Sequence, residues 1–164
     1  MRIDAYTHFF PAKYFQRLTD SKVPDIGKRV REVPAIHDLD IRRKVIGSFP
    51  DYRQIICVAL PPIGTYTPSD KAEDVAKLAN DGLKELCDKY PDQFAGFVAE
   101  VPLTAPDAGA RESERAIVQF QCEGFHAGVF AVRVGCTHTG IFSVFIFSKN
   151  GTNSGRSRLT RRRM

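Results

Sequence analysis

The fifty residues from Arg53 to Pro102 limit the fold more than any other part of the chain. "RQIICVALPP" is a nearly continuous apolar run of strand length, stopped by Pro61 and Pro62. Runs of this kind suit a strand buried on both faces, as in a parallel sheet. "TPSDKAEDVAKLANDGLKELCDKYPDQ" follows and reads as a helix. Thr67 or Ser69 is the expected cap, and Asp70, Glu73 and Asp74 put negative charge on the first turn. Ala72, Val75, Ala76, Ala79, Leu83, Leu86, Cys87 and Tyr90 recur at helical spacing, and Pro91 ends the helix. "FAGFVAEVP" is then a further buried strand. Strand, helix and strand in this order make a βαβ unit, whose crossover is right-handed.

The flanking sequence repeats the pattern. Ile3, Ala5 and Thr7 alternate along a first strand that runs into a loop at Phe9-Phe10-Pro11, and residues 20–36 read as an irregular surface excursion. A helix is expected from about Asp38, capped by Asp38 or Asp40, with Leu39, Ile41, Val45, Ile46 and Phe49 as its apolar stripe. "APDAGARESERAIVQFQ" gives another helix with Ile117, Val118 and Phe120 inward, and "GFHAG" starts a fourth strand. The alternation predicts an α/β fold with a parallel sheet. Periodicity does not choose between a doubly wound sheet and a barrel, but no G-x-G-x-x-G follows the first strand, which counts against a dinucleotide site.

Charge divides the chain. Residues 1–123 hold 17 Lys and Arg against all 19 Asp and Glu, a balance of −2, whereas residues 124–164 hold seven basic residues and no acid. After Gly128 the helical period is lost, and the Arg-rich end (Arg156, Arg158, Arg161, Arg162, Arg163) is polar. No signal-like start and no apolar run of membrane-spanning length is present, so the expectation is a cytoplasmic protein with no membrane partner. Four scattered cysteines without C-x-x-C spacing read as reduced thiols.

The chemistry-bearing stretch is "DAYTHFFP" near the start. Residues i and i+2 at the mouth of a barrel strand point inward together, so a His-x-His pair there presents two imidazoles to one metal ion. Here the pair is Tyr6 and His8. A neutral phenol is a poor ligand, since binding must remove a proton of pKa about 10. Tyr6 is therefore a vestigial ligand position or a hydrogen-bond donor to substrate. Glu100 and His126, each near a strand end, are candidates for the barrel mouth. Cys136-Thr137-His138 has soft ligands two apart but no second pair nearby, His37 reads as an exposed residue before a helix, and Asn150-Gly151-Thr152 reads as a turn.

"MRIDAYTHFFP", "DLDIRRKVIGSFPDYRQIICVALPP", "VAKLANDGLKELCDKYPDQFAGFVAEVPLTAPDA" and "ERAIVQFQCEGF" together resemble the amidohydrolase-related family, in particular its aminocarboxymuconate-semialdehyde decarboxylase-like branch. The resemblance covers about residues 1–128. It implies the N-terminal half of a (β/α)8 TIM barrel and a metal-dependent hydrolase or decarboxylase acting on a small carboxylated or cyclic substrate. A divalent ion, Zn²⁺ by resemblance, is the implied cofactor, with His8 at the second ligand position and Tyr6 where the first ligand His stands. The family's remaining ligands and catalytic groups, two His and an Asp on later strands, have no match after Gly128. The catalytic residues are thus unassigned, and a full barrel needs about 250 residues.

Residues 129–164 form an irregular basic tail unlike the family and read as the product of a frameshift or truncation. Lys149–Ser157 can be encoded so that reading one nucleotide later yields Lys-Met-Ala-Arg-Thr-Leu-Asp-Val-Pro, which resembles a helix end and strand. A nucleic-acid-binding arm is the weaker alternative. A half barrel leaves unpaired strand edges, so an unstable, homo-oligomeric or non-catalytic chain is expected.

Overall fold

The computed structural model describes residues 1–21, 28–58, 61–127, 130–136, 142–148 and 157–158, with side chains through Glu123 save those of Tyr6 and Arg29. Four strands form a parallel run in chain order: β1 (Arg2–His8), β2 (Tyr52–Cys57), β3 (Phe94–Glu100) and β4 (Gly124–Ala127). Between them lie α1 (Ala12–Thr19), α2 (Lys28–Glu32), α3 (Leu39–Gly47), α4 (Ala72–Lys89) and α5 (Pro106–Val118). Sequential parallel strands with helical crossovers are the layout of the opening half of a (β/α)8 barrel.

The core lies between the strands and α1 and α4. Ile56, Val58, Phe94, Phe97 and Ala99 from the sheet side meet Tyr14, Leu18, Ala76, Ala79 and Leu83 from the helices. Small residues on α4 let it lie close: a Cβ on Gly82 would sit 2.5 Å from Cβ of Pro11, at the junction between β1 and α1.

Asp38 caps α3 as expected, its carboxylate accepting from the Ile41 amide at 3.0 Å. Several expectations are corrected. The start of α4 is reached through a 3-10 turn (Ser69–Lys71) and no side chain caps it; Thr67 is buried and its Oγ1 has no protein partner. Only Ile46 of the α3 stripe is fully buried, while Ile41, Val45 and Phe49 face outward, as does Val118 of α5. Helix α1 follows the expected loop at Phe9-Phe10-Pro11, over residues given no element from sequence, because Tyr14 and Leu18, four apart, both enter the core. Part of the 20–36 excursion is helical too, as α2 and a 3-10 turn (Pro34–Ile36). His37 is half-buried rather than exposed, its ring stacked on Phe15 with centroids 4.4 Å apart.

Parallel pairing stops at β4. The tail, expected to be irregular, contributes β5 (Phe130–Cys136), β6 (Phe142–Ser148) and the two-residue β7 (Ser157–Arg158), each antiparallel to its neighbour. "FSVFIFS" carries the β-branched and aromatic residues that favour strands, which is why a basic segment without helical period still pairs. Among the described residues no helix is long and apolar enough to cross a membrane.

Candidate active site at the strand ends

The C-terminal ends of parallel strands are where (β/α) barrels place their chemistry. Here β1 ends at His8, β2 at Cys57 and β3 at Glu100. His8 and Cys57 are register partners, and so are Glu100 and His126. The side chains of Tyr6 and His126, and the Cys136-Thr137-His138 and Asn150-Gly151-Thr152 motifs as units, lie outside what the structure describes. A register irregularity in β1 between Asp4 and Thr7 interrupts simple alternation just ahead of the Tyr6–His8 pair. Bulges beside active sites re-aim side chains in this way.

His8 is half-buried, and its Nδ1 lies 3.3 Å from the Cys57 sulfur. The Cys57 thiol also donates to the Thr7 carbonyl at 3.5 Å. Burial, with the Glu100 carboxylate adding to it, pushes the Cys57 thiol up to about 12. Cys57 is therefore a neutral thiol rather than a nucleophile.

Two tyrosines complete the cluster. Tyr14 on α1 and Tyr66, in the loop after β2, share a buried hydrogen bond of 2.7 Å between their hydroxyls. Burial raises both phenols above their ordinary range, and the charge of Glu100 raises them further. Both stay protonated as hydrogen-bond donors.

Beneath the cluster a buried polar network fixes Glu100. Asn80 of α4 bonds both backbone groups of Glu100 and donates to Glu112 Oε1 at 2.7 Å. Glu112 is fully buried and is held by a two-pronged bond from Arg115, at 2.7 and 2.6 Å. Arg115 in turn reaches Asp81 at 2.6 Å. A buried carboxylate is tolerated when paired in this manner.

His8 and Glu100 thus share one end of the sheet, as the sequence suggested. Cys57, Tyr14, Tyr66 and Asn80 were not singled out from sequence. Cys57 and Tyr66 sit on the apolar run and its loop, where they read as core, and Asn80 lies on the buried stripe of a helix. That last position held the one usable signal: a polar residue between Ala79 and Leu83 needs a partner. Among the described residues no three His, Cys, Asp or Glu side chains cluster closely enough to hold a metal ion. His8 is a suitable imidazole donor, but the described residues do not complete a metal site.

No family model matches the chain. Among curated proteins, a gamma-resorcylate decarboxylase of Rhodococcus jostii is 36% identical over 80 residues, which are 49% of this chain and 24% of that protein. The fold agrees. A 2,6-dihydroxybenzoate decarboxylase from Rhizobium superposes with a TM-score of 0.60 at 27% identity, over 80% of this chain and 39% of the other. Over its matched N-terminal residues this chain is similar to these decarboxylases. It spans about a quarter of the length of the curated relative. A dihydroxybenzoic acid decarboxylase from Polaromonas, with bound manganese and the inhibitor 2-nitroresorcinol, matches 79% of this chain and 38% of its own at 25% identity and a TM-score of 0.61. The metal named for that structure is manganese, a divalent ion; zinc is not named.

Proposed function

We propose that residues 1–128 carry the opening half of a metal-dependent carboxy-lyase site for a small carboxylated, cyclic substrate. The observation that carries this reading is the convergence of His8, Cys57, Glu100, Tyr14 and Tyr66 at the strand ends of a half barrel related to decarboxylases. His8 is the residue of this chain that would ligate the divalent ion, Zn²⁺ or Mn²⁺, and Tyr6 holds a ligand position without ligand chemistry. When bound, such an ion supplies Lewis-acid polarisation of the substrate. The chain's own contribution is a dry wall in which the neutral phenols of Tyr14 and Tyr66 and the charge of Glu100 orient a polar, carboxylated ring. Glu100 and His126 are the proposed substrate-facing residues of the mouth.

Residues 129–164 are a separate basic tail in this reading, and the 164 residues alone turn substrate over weakly or not at all. The switch from parallel to antiparallel pairing at β4 supports it, since a (β/α)8 barrel is parallel throughout. The chain is proposed to act in the cytoplasm, without nucleic acid, and to self-associate through its strand edges.

The test is a chimera in which residues 1–128 replace the matching segment of the Rhizobium 2,6-dihydroxybenzoate decarboxylase. The folded chimera, assayed with manganese, is expected to release CO₂ from 2,6-dihydroxybenzoate and to lose that activity in His8→Ala. A folded His8→Ala chimera as active as its parent would overturn the assignment. Tight, stoichiometric metal binding with turnover by the 164-residue chain would overturn the half-site reading. A nucleic-acid role for the tail instead predicts salt-dependent DNA or RNA binding lost on removing residues 156–164.

A further inference from the structure

Helix α3 turns three faces to three surroundings. Arg42 and Ile46 face the sheet: the Arg42 guanidinium donates to Gln54 of β2 at 2.9 Å, and Ile46 is buried. Arg43 and Gly47 face the end of α4 and the start of β3, where Arg43 donates to Gln93 at 2.8 Å and lies 3.9 Å over the Tyr90 ring. Ile41 and Val45 stand on the opposite side of the helix, away from α4, and Phe49 continues their stripe just past its end. These three are 42%, 47% and 52% exposed, so the stripe is apolar and uncovered. It runs to β1: the Phe49 ring lies 5.8 Å from that of Tyr52, whose hydroxyl donates to Asp4 at 2.9 Å. Among the described residues β1 pairs with β2 alone, so its other edge is open beside the stripe. In a closed barrel the last strand and its helix take that side.

We propose that the β1 edge and the Ile41–Val45–Phe49 stripe form one self-complementary surface, on which a second copy of the chain docks about a two-fold axis. The two β1 strands pair antiparallel, and the two α3 stripes pack on each other over the joined strands. An axis normal to the sheet keeps both helices on one face and pairs residues of the same parity. Asp4 opposite itself would set like charges together, and Ala5 opposite itself would carry the pairing across the irregularity between Asp4 and Thr7. Ile3 opposite itself sets Arg2 of each copy against Asp4 of the other. Opposite charges directly across an antiparallel pair stabilise it and like charges do not, so the sequence selects the Ile3 register. A two-fold interface brings the same patch of both copies together, so each stripe meets an apolar stripe and leaves water. This surface specifies the self-association proposed above and rests on it, not on the metal chemistry.

The experiment is sedimentation equilibrium of the whole chain, with amide hydrogen exchange followed by mass spectrometry. The expected result is a dimer whose β1 amides are protected. Val45→Lys is expected to raise the dissociation constant about tenfold or more, because it sets an unpaired charge in the interface. Val45 is exposed, so the variant keeps its fold, checked by circular dichroism. Asp4→Arg is expected to weaken the dimer too, and Arg2→Asp combined with Asp4→Arg to restore it. A monomeric wild type overturns both this interface and the self-association. An oligomer unchanged by Val45→Lys and by Asp4→Arg overturns this interface alone and moves the self-association to another edge. A monomer that instead binds the unmatched remainder of the Rhizobium decarboxylase one to one, with β1 protected, overturns the second copy as occupant in favour of a completing half barrel. A dimer with these sensitivities, beside a folded chimera without activity, upholds the interface and sinks only the carboxy-lyase reading.

Discussion

Asn80 of α4 holds the last residue of β3, Glu100, by its main chain: its Oδ1 accepts from the Glu100 amide at 2.7 Å and its Nδ2 donates to the Glu100 carbonyl at 3.0 Å. The same amide group bonds the buried Glu112 carboxylate at 2.7 Å. One side chain thus satisfies three polar groups on two elements. Asn80→Ala strands them in the core, where each unsatisfied group costs about 1–3 kcal/mol. We expect a loss of about 2–4 kcal/mol in urea unfolding, within the spread that such non-additive deletions show. Asn80→Asp should not restore it, because it sets a second carboxylate against Glu112. A loss below about 0.5 kcal/mol would mean that the network relaxes around the gap.

Glu73 gives the chain an acid-sensitive tie between α4 and α5. Hydrogen bonding from Arg111, then from Lys77, lowers its carboxyl from 4.5 to about 2. A depressed folded-state value means that the contribution is present above the ordinary carboxylate range and is lost as pH falls from 4.5 towards about 2. ¹³C NMR should place the Glu73 midpoint low in the wild type and return it towards the ordinary value in Arg111→Ala. An unchanged midpoint in that variant would assign the shift to another group.

Gly82 marks the closest approach of α4 to the β1–α1 junction. Alanine is favoured over glycine in a helix by roughly 0.5–1 kcal/mol. Its Cβ would nevertheless lie 2.5 Å from Cβ and 3.0 Å from Cγ of Pro11, a rigid ring that cannot swing away. Overpacking should win, and Gly82→Ala should destabilise by about 1–3 kcal/mol. A higher melting temperature would show instead that the junction moves at little cost.

Gln121, just after α5, has φ of 53°, a left-handed conformation that glycine adopts without a Cβ penalty. Its amide bonds the Ile117 carbonyl at 3.2 Å, and the Cys122 amide bonds that of Ala116 at 3.2 Å, closing the helix. Gln121→Gly should raise stability by up to about 1 kcal/mol, reduced by the greater freedom of glycine in the unfolded chain. Thermal melting of the two proteins side by side checks the sign.

The sequence by itself determined the order β1, α3, β2, α4, β3, α5 and β4, but not α1 or α2. Unbroken apolar runs such as Ile55–Val58 need burial on both faces, and α4 keeps a helical period over its 18 residues. It also placed His8 and Glu100 near strand ends as candidates for the barrel mouth. What it could not contain was distance. Tyr14 and Tyr66 are separated by 52 positions and Asn80 and Glu112 by 32, and each reads locally as a core or surface residue. Only packing the helices onto the sheet joins the phenols, hides the Asn80 network and sets Cys57 against His8, since hydrogen-bond partners far apart in sequence are chosen by register and helix docking. The tail shows the same division: its charge marks the break at about residue 124, while its antiparallel pairing to β4 was decided by tertiary structure alone.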